Sequence, residues 1–154
     1  MNISSSSALK VGLFKRLKKW KDYWTDEKLQ QVREQLETAA AVGGFDIAAI
    51  TGAMVACTDL HIPFVIDGYI TAVAMACATQ MNGEAPLYGI PSHYSREVGM
   101  AAALAYANIR LDEVPIHGQM ALGEGTGAVL MVQLLKTAHF AFMNIGTMVE
   151  LLEK

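Results

Sequence analysis

The stretch 62-IPFVIDGYITAVAMACATQM-81 changes its period in the middle. Residues 62–67, IPFVID, form a short apolar run rich in β-branched side chains, the pattern of a strand buried on both faces. The Asp67-Gly68 pair ends it, and YITAVAMACATQM follows as a helix. The same alternation recurs downstream. PLYGI (86–90) reads as a second strand and REVGMAAALAYANI (96–109) as a second helix. IHGQMAL (116–122) is a weaker third strand, followed by a long apolar helix from Thr126 to Leu152. Alternating strands and helices imply an α/β fold, a short parallel sheet with right-handed crossovers and flanking helices. Ligands in such sheets sit beyond the carboxyl ends of the strands. Here those ends are 67–68, 91–95 and 122–127, three polar, glycine-containing or hydroxyl-bearing stretches expected on one rim.

Upstream, DIAAITGAMVACTDL (46–60) reads as an apolar helix, and Gly43-Gly44 stops the helix before it. That earlier helix, TDEKLQQVREQLETAAAV (25–42), has a capping Thr25, acids in its first turn, and Leu29, Val32 and Leu36 on one stripe. Residues 1–24 form a basic amphipathic arm with a serine-rich lead-in, Leu9, Leu13, Phe14, Leu17, Trp20 and Trp24 at helical spacing, and lysines opposite. The domain organisation is therefore the arm, 1–24, and an α/β domain, 25–154. The arm carries +5 and the remainder −8, which argues against a nucleic-acid binder, whose basic character would spread over a face. The arm lies on its own domain, docks on another chain, or touches a membrane surface through residues 9–24. No membrane-spanning helix is expected, since uncharged stretches such as 68–83 are short and rich in Gly, Thr, Gln and Asn. No secretory leader is expected either. Cys57 and Cys77 read as buried free thiols of a cytoplasmic protein.

Glu124 stands between Gly123 and Gly125, directly before an apolar helix. The glycines allow a tight turn and close approach of a ligand. The carboxylate either complements the helix dipole or serves as a general base. The second role needs a water-excluding pocket, because a helix N-terminus stabilises the ionised form. GEGTG is not the dinucleotide fingerprint. Ser92, His93 and Ser95 lie between a strand end and a helix start, suited to holding a phosphate or, for Ser95, to N-capping with Glu97 in the first turn. A Ser92–His93 nucleophile pair is not expected, since neighbours at a turn rarely point together. Asp67 and Gly68 suit ribose or phosphate contact, or a plain turn. His61, His93, His117 and His139 lack ligand spacing, so neither a metal nor a cofactor is expected.

Taken together, GGFDIAAITGAM, IPFVIDGYITAVA, IPSHYSREVG and MALGEGTGAVL resemble the C-terminal half of the nicotinate-nucleotide:dimethylbenzimidazole phosphoribosyltransferase family, in order and spacing, from Gly43 to Met148. The resemblance implies half of a doubly wound, Rossmann-like domain, with the arm added. It implies transfer of phosphoribosyl from nicotinate mononucleotide to an aromatic base, 5,6-dimethylbenzimidazole or a relative, in cobalamin lower-ligand synthesis. Glu124 matches the family's catalytic base, Leu122 a position packing against the aromatic base, and Gly68 and Ser95 positions near the nucleotide phosphate. Asp67, Ser92, Gly123 and Gly125 join them as substrate-binding candidates. Two departures accompany the match. The family's N-terminal half, with its own glycine-rich stretch, has no counterpart here, and Ala121 stands where the family commonly has arginine. Hence two expectations: a transferase part completed by a dimer mate or a complementary N-terminal-half chain, or a catalytically silent nucleotide-binding or assembly module.

Overall fold

The structure is a computed structural model that describes residues 43–121 and 123–146. The arm, the helix expected over 25–42, and residue 122 lie outside the described residues. The elements run α1 (Phe45–Asp59), β1 (Phe64–Ile66), α2 (Tyr69–Met81), a 3-10 turn (Ala85–Leu87), β2 (Gly89–Pro91), β3 (His93–Ser95), α3 (Met100–Tyr106), a second 3-10 turn (Leu111–Glu113), β4 (Ile116–Met120) and α4 (Thr126–Asn144).

The core forms where α2 packs against both α1 and α3. Small side chains on α2 make this approach possible: Ala72, Ala74 and Ala78 are fully buried, with Met75 filling the gap between them. Ile66, Met100 and Leu104 complete the cluster. Buried hydroxyls satisfy themselves on the backbone, as buried polar groups must. Thr51 Oγ1 lies 2.8 Å from the Ile47 carbonyl oxygen and 3.3 Å from that of Ala74. Thr79 Oγ1 lies 2.9 Å from the Met75 carbonyl and 3.4 Å from that of Ala107. The threonines thus sit on the α1–α2 and α2–α3 seams.

The strands pair in parallel, β1 with β2 (Phe64↔Gly89, Ile66↔Pro91) and β3 with β4 (His93↔Ile116, Ser95↔Met120). Ser92 alone separates β2 from β3, and its N–H still donates to the Ile66 carbonyl at 3.0 Å. One short run, 89–95, therefore meets β1 with its first half and β4 with its second. The α/β class with short parallel pairing is as the alternation predicts.

Local differences have physical causes. The run 86–90 is not all strand, because Pro86, which lacks an N–H, sits in the 3-10 turn and pairing starts at Gly89. The helix expected over 96–109 is only Met100–Tyr106, with Gly99 at its N-cap. It closes into Asn108, whose left-handed backbone (φ 56°) breaks the helical run. The last helix ends at Asn144, where Ile145 turns extended, and residues 147–154 lie outside the described residues. The thiols of Cys57 and Cys77 are free but half-buried rather than buried. Burial pushes the Cys57 thiol up from its ordinary value. Contrary to the expectation of none, α4 is by length and composition apolar enough to cross a membrane, even with Lys136 inside it.

Candidate functional site at the sheet rim

Asp67 ends β1 and reaches the start of α4. Its Oδ2 accepts from the Gly125 N–H at 3.1 Å and its Oδ1 from the Ala128 N–H at 2.7 Å. Those amides belong to the N-cap and first turn of α4, so the carboxylate satisfies donors that the helix leaves open and faces the positive end of its dipole. A loop sixty residues away in sequence is thus fastened to β1 through a single side chain.

Below this contact lie Ser92 and His93, both buried. They do not stand on a turn as expected. The chain stays extended through Ser95, and the two side chains meet, with Ser92 Oγ 3.1 Å from His93 Nδ1. Ser92 Oγ also donates to the Asp67 carbonyl oxygen at 2.6 Å. A hydroxyl has one proton and a carbonyl can only accept, so His93 Nδ1 carries the hydrogen in its contact with Ser92. Nε2 is then an acceptor, and it is buried without a hydrogen-bond partner.

Gly127, in the first turn of α4, lies against the same ring. A Cβ there would collide with His93 Nδ1 and stand 2.9 Å from Ser92 Oγ. Only glycine lets the helix start this close to the strand. Neither Gly127 nor the Ser92–His93 contact is assigned from the sequence alone. The glycine spacing of GEGTG is the available signal, but naming its partner requires the β1–β3–α4 junction.

Glu124 occupies the turn above. Its backbone is left-handed (φ 63°), as is that of Gly125 (φ 82°), and its side chain is exposed. Among the described residues it has no hydrogen-bond partner, and the pocket required to exclude water from it is not formed by them. The dipole-complementing role belongs to Asp67 instead. Gly123 is exposed, and a Cβ on it would meet nothing within 4 Å. Gly68 caps α2, with its N–H donating to Thr71 Oγ1 at 2.9 Å, and a Cβ on it would lie 3.6 Å from His93 Nε2.

Ser95 is buried but caps no helix, because α3 starts only at Met100. Its hydroxyl donates to the Glu97 carboxylate, which holds that exposed carboxyl below its ordinary value. The structure thus brings Asp67, Gly68, Ser92 and Gly125 together, leaves Gly123 and Glu124 open on the same rim, and sets Ser95 at the end of β3. Leu122 lies outside the described residues. A separate cavity of about 160 Å³ is lined by Tyr94, Arg96, His117 and Gln119 and contains no predicted site residue.

Comparison with known proteins bears on this arrangement. A family model described as phosphoribosyltransferase, DBI_PRT, matches residues 20–150. A nicotinate-nucleotide–dimethylbenzimidazole phosphoribosyltransferase of Salmonella gallinarum is 36% identical over 114 residues, covering 74% of this chain and 31% of that protein. Its counterpart from Salmonella paratyphi B is 35% identical over the same share. The crystal structure of the enzyme of that name from Thermus thermophilus superposes with a TM-score of 0.64 at 33% identity, over 73% of this chain and 33% of that one. The chain therefore spans about a third of the length of the relatives it matches. With a match that runs from before the first described helix to beyond the last, the chain belongs to the DBI_PRT phosphoribosyltransferase family.

Proposed function

We propose that the chain supplies the Glu124 side of an active site that moves phosphoribosyl from nicotinate mononucleotide to 5,6-dimethylbenzimidazole or a related aromatic base. One ring nitrogen of the base attacks C1′ of the ribose. The bond from C1′ to the nicotinate nitrogen breaks, and nicotinate leaves with the electron pair. The configuration inverts to the α-anomer, giving α-ribazole 5′-phosphate for cobalamin lower-ligand synthesis. The other ring N–H becomes acidic as the new bond forms, and its proton passes to the Glu124 carboxylate.

The observation that carries this reading is the division of labour between two acids. Asp67 already satisfies the first turn of α4. Glu124 is therefore not needed as a cap, yet it is held on the rim in a backbone conformation that side chains rarely adopt. Gly123 and Gly125 leave room beside it for a flat ring, and Leu122 is proposed to pack against that ring. Gly68 and Ser95 are proposed to lie near the nucleotide, while Asp67 and Ser92 hold the rim in shape. The site is completed by a dimer mate or a complementary N-terminal-half chain, in the cytoplasm, with no cofactor.

A second reading, a silent nucleotide-binding or assembly module, is favoured by the exposure of Glu124. Nicotinate release from nicotinate mononucleotide and dimethylbenzimidazole separates the two. The transferase reading expects turnover, alone or with the N-terminal part of a relative, that Glu124→Ala abolishes while nucleotide binding persists. Binding indifferent to Glu124→Ala, with no turnover under either condition, leaves the silent module.

A further inference from the structure

The cavity lined by Tyr94, Arg96, His117 and Gln119 belongs to the other face of β3. Side chains alternate along a strand. His93 and Ser95 are the buried pair, with His93 against the start of α4, so Tyr94 and Arg96 point away from the rim. β4 is shaped to meet them. Between the pairs His93↔Ile116 and Ser95↔Met120, β3 advances through Tyr94 alone, whereas β4 advances through His117, Gly118 and Gln119. The surplus residues form a bulge, and bulges re-aim side chains. Within it Gln119 takes a left-handed backbone (φ 55°), which side chains rarely adopt. The ring of His117 lies nearly parallel to that of Tyr94, with centroids 5.8 Å apart. Its Nε2 is 2.9 Å from the Val114 carbonyl oxygen, which fixes the ring in place.

The groups that line the cavity define what it takes. The Arg96 N–H donates to the Met120 carbonyl at 3.0 Å, so the root of that side chain is held to β4. Its guanidinium has no hydrogen bond or ion pair among the described residues, and the adjacent Glu97 carboxylate is engaged by Ser95. A carbonyl only accepts, so the neutral His117 ring carries its proton on Nε2 and adds no charge. Arg96 is thus the one permanent charge of the lining, set beside two stacked rings and the Gln119 amide. A planar guanidinium fork matches a carboxylate through two parallel hydrogen bonds. At about 160 Å³ the cavity has the size that holds one benzene-sized molecule. We propose that it is a second binding site, for a small aromatic carboxylate whose oxygens meet Arg96 and whose ring lies along Tyr94 and His117. The site is separate from the rim and stands whether or not the mononucleotide reading does.

The test titrates the ¹⁵N-labelled full chain with benzoate, with its neutral isostere benzamide, and with inorganic phosphate. The Arg96 Nε–H and the Gln119 side-chain amide report the cavity, and the Gly68 and Gly125 amides report the rim. The expected result is a benzoate shift at Arg96 and Gln119 that saturates. The rim amides stay unmoved, and excess nicotinate mononucleotide does not displace the benzoate. Benzamide and phosphate are each expected to bind at least about tenfold more weakly, the first lacking the charge and the second the ring. Arg96→Gln is expected to weaken benzoate about tenfold or more, with thermal unfolding unmoved because the side chain is exposed. Gln119→Gly removes one lining side chain but frees the left-handed backbone, so it is expected to weaken binding while stability holds or rises. Benzoate held equally by Arg96→Gln, or matched by benzamide, would overturn the carboxylate recognition. Phosphate binding as tightly as benzoate would reduce the site to an anion patch and overturn the ring's part in it. Displacement by the mononucleotide would overturn the separateness of the cavity from the rim. Shifts that never saturate overturn the proposal outright.

Discussion

Glu124 sits at φ 63°, where an L side chain crowds its own backbone at a cost of roughly 1–2 kcal/mol. Nothing in its surroundings offsets that cost, since the side chain is exposed. Glu124→Gly is therefore expected to raise stability by about 1 kcal/mol while abolishing nicotinate release. Chemical denaturation and the release assay on one preparation check both halves, and a destabilised variant would show that the carboxylate has a structural role after all. The flanking glycines divide similarly. Gly127→Ala drives a methyl into the buried His93 ring and is expected to cost at least about 1–3 kcal/mol. Gly123→Ala has open space, so its stability is expected to stay within about 0.5 kcal/mol. Any activity lost in Gly123→Ala then reports on the room beside a bound ring, read from thermal unfolding and kinetics together.

At the scale of elements, α4 is held to the sheet through its first turn. Gly127 and Met131 are its buried residues among those described, and Asp67 supplies the polar anchor. Asp67→Asn keeps one carbonyl oxygen where two carboxylate oxygens accept, and removes the charge facing the dipole. The expected cost is about 1–2 kcal/mol, with faster amide exchange at Gly125 and Ala128 as its local signature. At the end of β3, the Ser95 hydroxyl lowers the Glu97 pKa. A carboxyl lower in the folded chain than in the unfolded one contributes stability above its unfolded pKa, and that contribution is lost as pH falls through the folded value. Ser95→Ala is expected to return Glu97 toward the ordinary range, visible in a carboxyl NMR titration as a midpoint moved upward. A midpoint that stays put would mean that the hydroxyl is not its cause. Much of this architecture was legible in sequence. The switch from β-branched run to alanine-rich helix at Asp67-Gly68 fixes β1 and α2, because period and side-chain type agree there. The cluster of Asp67, Gly68, Ser92 and Gly125 follows from the rule that parallel strands end on one rim. What stayed hidden depends on contacts across the fold. Ser92 and His93 look like turn residues in isolation, and only pairing with Ile66 on one side and Ile116 on the other keeps them extended. The capping by Asp67 joins residues far apart in the chain, and no local pattern announces it.

At the scale of the whole molecule, burial is lopsided. The α1–α2–α3 side holds the packed core, whereas α4 leaves Val129, Val132, Phe140 and Met143 exposed in one stripe at spacings of three and four residues, with Lys136 within it. Phe142 is exposed as well, at 83%. β4 pairs with β3, and its middle residues are exposed. Helix faces this apolar are normally covered, and a free strand edge invites pairing. The chain spans about a third of its relatives' length, and the function proposed above assigns the cover to the rest of the family fold. That cover would also close the open side of Glu124 against water, which the general-base role needs. Burying one phenylalanine contributes about 1.5–3 kcal/mol, so Phe140 and Phe142 together supply roughly 3–6. Replacing both by glutamate is therefore expected to weaken association with the N-terminal part of a Salmonella relative about a hundredfold or more. The local fold should survive, because neither ring is part of the core. Sedimentation of the mixture measures the association, and nicotinate release measures its consequence, since turnover is expected to rise with the bound fraction and to fall with it in the double variant. Turnover by the chain alone, unchanged by the double substitution, would show that the Glu124 site works without a cover on Phe140 and Phe142.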